Sequence, residues 1–223
     1  MKTLTKEMQA AITPPMALEL LKEGNKRFVN NLKVNRNLLQ QANETSDGQH
    51  PFAVILSCID SRTSAELIFD QGLGDIFSVR IAGNIVNEDI LGSMEFGCKV
   101  AGAKIIVVLG HSKCGAVKGA CDHVEMGHLT TLLTKIRPAV EDENTTSENR
   151  HSNNPEFVEK VAAINVKRTV RAIMERSPIL AELIKSGQIG IVGGMHEISS
   201  GRVHFFPDTL VLNSAVAEAM EKA

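Results

Sequence analysis

Three residues able to bind a soft divalent metal lie at or just beyond the ends of two short apolar runs. Val54-Ile55-Leu56-Ser57 stops on Cys58, and Val107-Val108-Leu109-Gly110 stops on His111, with Cys114 three positions later. Apolar runs of this length, bounded by polar and glycine positions, suit buried strands of a parallel sheet. Ligands of open α/β sheets collect beyond the carboxyl ends of such strands. Two strand ends would therefore bring Cys58, His111 and Cys114 to one crevice. Two thiolates and an imidazole are a donor set that zinc favours, and three protein ligands leave a fourth position for water.

The elements needed to hold this crevice are legible on either side of it. Thr13-Pro14-Pro15 opens an amphipathic helix, since Thr13 can cap, proline is tolerated in the first turn, and Ala17, Leu20, Leu21 and Phe28 recur at helical spacing. Residues 33–50 are polar and amide-rich and read as loop. Strands are expected over 53–57, 76–80, 104–109 and 189–193, with 197–205 turning back as an antiparallel edge. Helices are expected over 64–69, 88–100, 112–121, 129–140, 157–175, 179–185 and 209–220. The polar stretch 141–150 reads as an exposed mobile loop. Amides at the start of the 112–121 helix would favour the thiolate of Cys114. Gly72-Leu73-Gly74 precedes a strand, whereas a dinucleotide loop opens a helix, so it reads as a turn.

Strands separated by helical segments define an α/β fold: a mostly parallel central sheet flanked by helices, with an antiparallel edge strand and an N-terminal helical arm. One domain is expected over 1–223, with arm and loop over 1–50 and the metal-binding core over 51–223. The composition, 43% hydrophobic and 22% charged, is ordinary for a globular chain, and a net charge of -2 gives no reason to expect nucleic acid or an anionic membrane. No run approaches the ~18–20 apolar residues that span a bilayer, and the first residues lack the apolar segment of a signal peptide. A cytoplasmic location is the expectation. The four cysteines do not look like a disulfide framework. Two of them beside metal-binding partners point to a reducing compartment, and Cys98 and Cys121 read as packing residues.

Cys58-x-Asp60-Ser61-Arg62 followed by His111-x-x-Cys114 makes the sequence resemble the β-class carbonic anhydrases. The resemblance runs from Lys22-Glu23-Gly24-Asn25-Lys26-Arg27-Phe28 to Ser200-Gly201-Arg202-Val203. It implies reversible hydration of carbon dioxide to bicarbonate and a proton by zinc-bound hydroxide. Cys58, His111 and Cys114 would be the Zn2+ ligands, Asp60 and Arg62 the catalytic acid–arginine pair, and the assembly a homodimer or homotetramer. Within that reading Asp60 accepts a hydrogen bond from the nucleophile, and Arg62 holds the carboxylate as a rigid fork. If Arg62 released it, Asp60 could take the fourth zinc position, a closed state that occurs in part of the family. Two thiolates cancel the formal charge of zinc, so activity should rise with pH through or above neutrality. The sequence departs from the family at Gly115-Ala116, where two glycines are frequent, and at Met195-His196, where an aromatic residue is frequent. It has no Trp and no Tyr, so the Trp–Arg–Tyr set that holds regulatory bicarbonate in some bacterial members cannot be built.

Two other functions fit the same motifs. Relatives that split carbonyl sulfide or carbon disulfide keep these ligands, and a zinc-stabilised bicarbonate-binding protein would too, although intact Asp60 and Arg62 argue against the latter. A proton must also reach solvent, for which His123, His128, His151, His196 and His204 are candidates, most of them expected on the surface. Ser57, Ser61, Gly83 and Gly110 could line the pocket, but small residues at strand ends also serve simple packing, and they are not assigned as sites.

Overall fold

The protein, described here from a computed structural model over residues 3–212, is built on five strands. These are β1 (Ala53–Ser57), β2 (Ile76–Arg80), β3 (Ile105–His111), β4 (Gly190–His196) and β5 (Val203–Phe205), in spatial order β2-β1-β3-β4-β5. The first four run parallel and β5 returns antiparallel to β4. Every residue of β1 and β3 is buried, which is why both read as unbroken apolar runs. After β1 the chain adds β2 on one side and β3 on the other, so a crevice opens beyond the carboxyl end of β1. This is the α/β architecture expected from the sequence.

Alternation along the strands sends side chains to two helical layers. Ala53, Ile55, Val107 and Leu109 pack with Ala17, Leu18 and Leu21 of the helix Pro14–Val29. Val54, Leu56, Ile106 and Val108 pack with Val166, Val170 and Ile173 of the helix Pro155–Arg176. The N-terminal helix thus covers the chain's own sheet with Leu18 and Leu21, while Leu20 stays exposed.

Several expected boundaries move, each for a local reason. Residues 33–50 are not all loop: Leu38–Glu44 is helical, capped by Asn37 and anchored where Gln41 Oε1 accepts the Leu73 N–H at 3.2 Å. A further helix, Lys6–Ala11, is capped by Thr5. The expected helix 129–140 is two, Gly127–Leu133 and Arg137–Asp142, because Pro138 fits a first turn but not a helix interior. Helix 88–100 is α over Glu88–Glu95 and widens to a π turn over Phe96–Val100. Most of the stretch 141–150 is exposed and irregular after Asp142, as expected, but it is pinned from within. Glu143 is buried and accepts hydrogen bonds from Thr145, Thr146 and Arg150, and Arg150 lies over the Phe157 ring. Of the expected helix 209–220, the described part is a turn, Pro207–Thr209, followed by Val211 bridging Ile191; the remainder falls outside the described residues. Among the described residues no helix is long and apolar enough to cross a membrane.

Candidate metal centre

The crevice beyond β1 collects the expected donors. Cys58 is the first residue past β1, His111 is the last of β3, and Cys114 caps the helix Gly115–Cys121. Cys58 Sγ, Cys114 Sγ and a ring nitrogen of His111 all lie within 4.8 Å of one another, and all three residues are buried. The turn from His111 to Cys114 depends on Lys113, whose φ of 58° folds the chain back. Its N–H is fixed by Glu159 Oε1 at 2.7 Å.

The imidazole is held in one orientation. His111 Nδ1 lies 3.0 Å from the Ser112 carbonyl, so Nδ1 carries the proton and donates it there. Nε2 is buried with no hydrogen-bond partner. An orphaned acceptor facing two thiols is costly by itself and is what a metal ligand looks like when oriented from behind. The thiols tell the same story. Hydrogen bonding from the Cys114 thiol, against the opposing effect of burial, holds the Cys58 thiol well below its ordinary value, with the Gly83 amide contributing. The resulting Cys58 thiolate, together with burial, drives the Cys114 thiol upward. Both sulfurs could ionise only with a cation between them, and zinc fits this donor set.

Glycine is required at 83. Its φ is 70°, and a Cβ would meet Ile136 Cδ1 at 2.4 Å. That geometry lets the Gly83 N–H reach Cys58 Sγ at 3.4 Å. The peptide is anchored on its other side by Asn165 Nδ2, which donates to the Gly83 carbonyl at 2.8 Å.

Beside the donors, Arg62 grips Asp60 with a fork: Nε donates to Oδ1 at 2.9 Å and an Nη to Oδ2 at 2.7 Å. The Arg62 N–H adds a third bond to Oδ1 at 2.9 Å. The Arg62 hydrogen bonds hold the Asp60 carboxyl far below the usual carboxylate range, against the opposing effect of burial. Asp60 Oδ2 lies 4.0 Å from His111 Nε2, so the ionised carboxylate borders the donor set.

Other residues of the site were not singled out from the sequence. Arg80, at the end of β2, donates to the Cys58 carbonyl at 3.0 Å and the Asp60 carbonyl at 2.6 Å, and Thr63 Oγ1 donates to the same two carbonyls. The signal for Arg80 was its place at a strand end neighbouring β1. Ser112 Oγ donates to Glu197 Oε1 at 3.1 Å and accepts the Ile198 N–H at 3.0 Å, tying the His111 turn to the β4–β5 connection. Of the five histidines considered as shuttles, His123, His128, His151 and His204 are exposed. His196 is not a surface residue. It is buried opposite His111 across the β3–β4 pairing, both ring nitrogens lack partners, and burial pushes it down to about 4. Cys98 and Cys121 are buried in apolar clusters, with burial raising them to about 12 and about 11, as packing residues would be.

Comparison with known proteins agrees with this geometry. The carbonic anhydrase family profile matches residues 53–203. Carbonic anhydrase 2 of Mycobacterium tuberculosis is 36% identical over 201 residues, covering 85% of this chain and 91% of that protein. The carbonic anhydrase of Mycolicibacterium smegmatis is 34% identical over 197 residues, with 85% and 92% covered. Among solved structures, a β-carbonic anhydrase of Aspergillus fumigatus superposes with a TM-score of 0.68 at 25% identity, over 86% of this chain and 90% of that one. A tetrameric β-carbonic anhydrase of Sordaria macrospora shares the fold at a TM-score of 0.67 and 23% identity, over 86% and 95%.

Proposed function

Because the chain belongs to the β-class carbonic anhydrase family, we propose that it catalyses the reversible hydration of carbon dioxide to bicarbonate and a proton. Cys58, His111 and Cys114 would hold zinc, which supplies the Lewis acidity that makes water a nucleophile near neutral pH. Asp60, kept ionised by the Arg62 fork, accepts the hydrogen bond of the attacking O–H and so directs its lone pair toward carbon. Arg62 restrains the carboxylate from joining the donor set, which it borders. Arg80 and Thr63 keep the turn carrying Cys58 and Asp60 in register with β2. The observation that carries the reading is this conjunction: three buried donors with an orphaned imidazole nitrogen, and an ionised acid gripped at their edge. Assembly as a homodimer or homotetramer is part of the proposal, supported by the tetrameric relative in Sordaria macrospora. Light scattering on purified protein checks it.

The deciding experiment is stopped-flow carbon dioxide hydration from pH 6 to 9 on protein of measured zinc content. Fast, zinc-dependent hydration that rises with pH is expected, since two thiolates leave the bound water less acidic than three imidazoles would. A rate constant flat across this range would count against the proposed nucleophile. Zinc-loaded protein that is slow at pH 9 but splits carbonyl sulfide or carbon disulfide would make it a hydrolase on the same scaffold. Inertness toward all three substrates would leave bicarbonate binding.

A further inference from the structure

A second polar cavity lies behind the metal centre, on the far side of the Gly83 peptide. It has a volume of about 290 Å³ and sits between the segment at Ile85 and Val86 and the helix Pro155–Arg176. Lys135, Arg168, Arg171 and Arg176 line it, against one carboxylate, Glu175. Arg168 pairs with Asp142, and Arg176 with Glu88 at 2.8 Å, neither acid belonging to the lining. Counting these partners still leaves one positive charge in excess. The side chains of Lys135 and Arg171 make no hydrogen bond or ion pair with any described residue, although the Lys135 charge also acts on Glu88, the partner of Arg176. Thr169 also faces the cavity. It is 5% exposed, and its hydroxyl has no hydrogen-bond partner among the described residues. A hydroxyl without a protein partner, in a cavity that carries an excess of positive charge, offers donors that an acceptor-rich group entering it would satisfy.

The floor of this cavity includes Asn165, whose Nδ2 holds the Gly83 carbonyl while the Gly83 N–H bonds Cys58 Sγ. We propose that the cavity binds a small oxyanion of the phosphate type, gripped by Lys135, Arg171 and Thr169, and that its occupancy is relayed through Asn165 and the Gly83 peptide to Cys58. Guanidinium and ammonium donors suit tetrahedral oxyanions, and charge-assisted bonds to them are the strong ones. An acceptor pulling on Asn165 would shift the Gly83 peptide and weaken the amide bond to the Cys58 sulfur. The site would then act as an input on the metal centre distinct from substrate, and this relay rests on the proposed function.

Inorganic phosphate is the probe. Calorimetric titration into the zinc-loaded protein should give millimolar binding, weakened at least about tenfold in Lys135→Gln/Arg171→Gln. Both positions are exposed, so the double variant should fold and hydrate carbon dioxide normally without phosphate. In cobalt-substituted protein, phosphate should shift the visible bands of the parent and leave those of the double variant unmoved. No binding to the parent, or equal affinity in the double variant, overturns the site. Binding without any spectral shift overturns the relay alone. A shift that persists in the double variant means that phosphate reaches the metal directly, and overturns both. If the protein takes up no metal, the metal reading fails while calorimetry still decides the anion site.

Discussion

Two aspartates grasped by arginines flank the short helix Ala65–Ile68, and they are built in opposite ways. Asp60 is held by Arg62, two residues away, whose side chain is 49% exposed. Asp70 is held by Arg27 and Arg36, 43 and 34 residues away, and the Asp70 and Arg36 side chains are 3% and 6% exposed. Arg36 also donates to the Asp70 carbonyl, and the Val34 N–H reaches Oδ2 at 3.3 Å, so one carboxylate fastens the N-terminal segment to the core. The local, solvent-facing pair can open without disturbing any packing, whereas the buried network cannot. A carboxylate that must answer to a reaction belongs in the first arrangement, and one that must never move belongs in the second.

The largest effect expected is on activity. Arg62→Ala should lower kcat/KM for carbon dioxide hydration by at least about 100-fold, because Asp60 loses its fork. Exposed pairs contribute about 0–1 kcal/mol to folding, so the melting temperature should barely change. Bound zinc, measured by atomic absorption, should stay at the parent level. Near-parent turnover in Arg62→Ala would show that the fork is structural, like its neighbour, and would erase the contrast.

Arg36→Ala should do the reverse. Removing the buried partner leaves the buried carboxylate with only the more exposed Arg27, at a cost of about 3 kcal/mol. Chemical denaturation should show that loss while turnover per zinc stays within about twofold, since Asp70 touches none of the metal donors. A parallel fall in turnover per zinc would mean that the two arginine clusters are coupled through the helix between them.

The same contrast decides what could be read beforehand. Cys58, His111 and Cys114 were legible because each residue type closes or follows an apolar run, and Asp60 and Arg62 through the resemblance of Cys58-x-Asp60-Ser61-Arg62 to the family motif. Asp70 and Arg36 meet only through tertiary structure, across a separation that no spacing rule covers. The helix Leu38–Glu44 was missed for the same reason: its amide-rich residues carry no apolar stripe, and it is fixed by Gln41 reaching Leu73. The sequence does not separate His196 from the other candidate histidines, because its pattern ends β4 at 193, whereas pairing with β3 carries the strand to His196 and buries the ring.

Acid titration refines the comparison. Burial acts to raise the Asp70 carboxyl, but hydrogen bonds from Arg27 and Arg36 outweigh it and hold the group below its ordinary value. A depressed carboxyl contributes stability that is present above its unfolded pKa, about 3.9, and is lost as pH falls through the folded value. Asp70→Asn keeps a side chain that tolerates the φ of 45° found there while removing the titration. Unfolding free energies measured from pH 2.5 to 5 should therefore fall less steeply with acid in this variant than in the parent. An unchanged slope would assign the acid sensitivity to other carboxylates, Asp60 among them.

The smallest effect tests whether burial or bond count sets the scale. Arg27 donates to Asp70 Oδ2 at 2.6 Å, as short as many buried contacts, yet its side chain is 32% exposed. If desolvation decides, Arg27→Ala should cost about 1 kcal/mol, because water can replace the missing guanidinium and Arg36 still neutralises the carboxylate. If the number of bonds decides, it should approach the loss in Arg36→Ala. The double variant adds the sharper reading. Once both arginines are gone, Asp70 is buried with no cation, so the loss in the double variant should exceed the sum of the two single losses. Simple additivity would mean that each arginine acts alone on the backbone it touches, and that the charge on Asp70 is not what fastens the N-terminal segment.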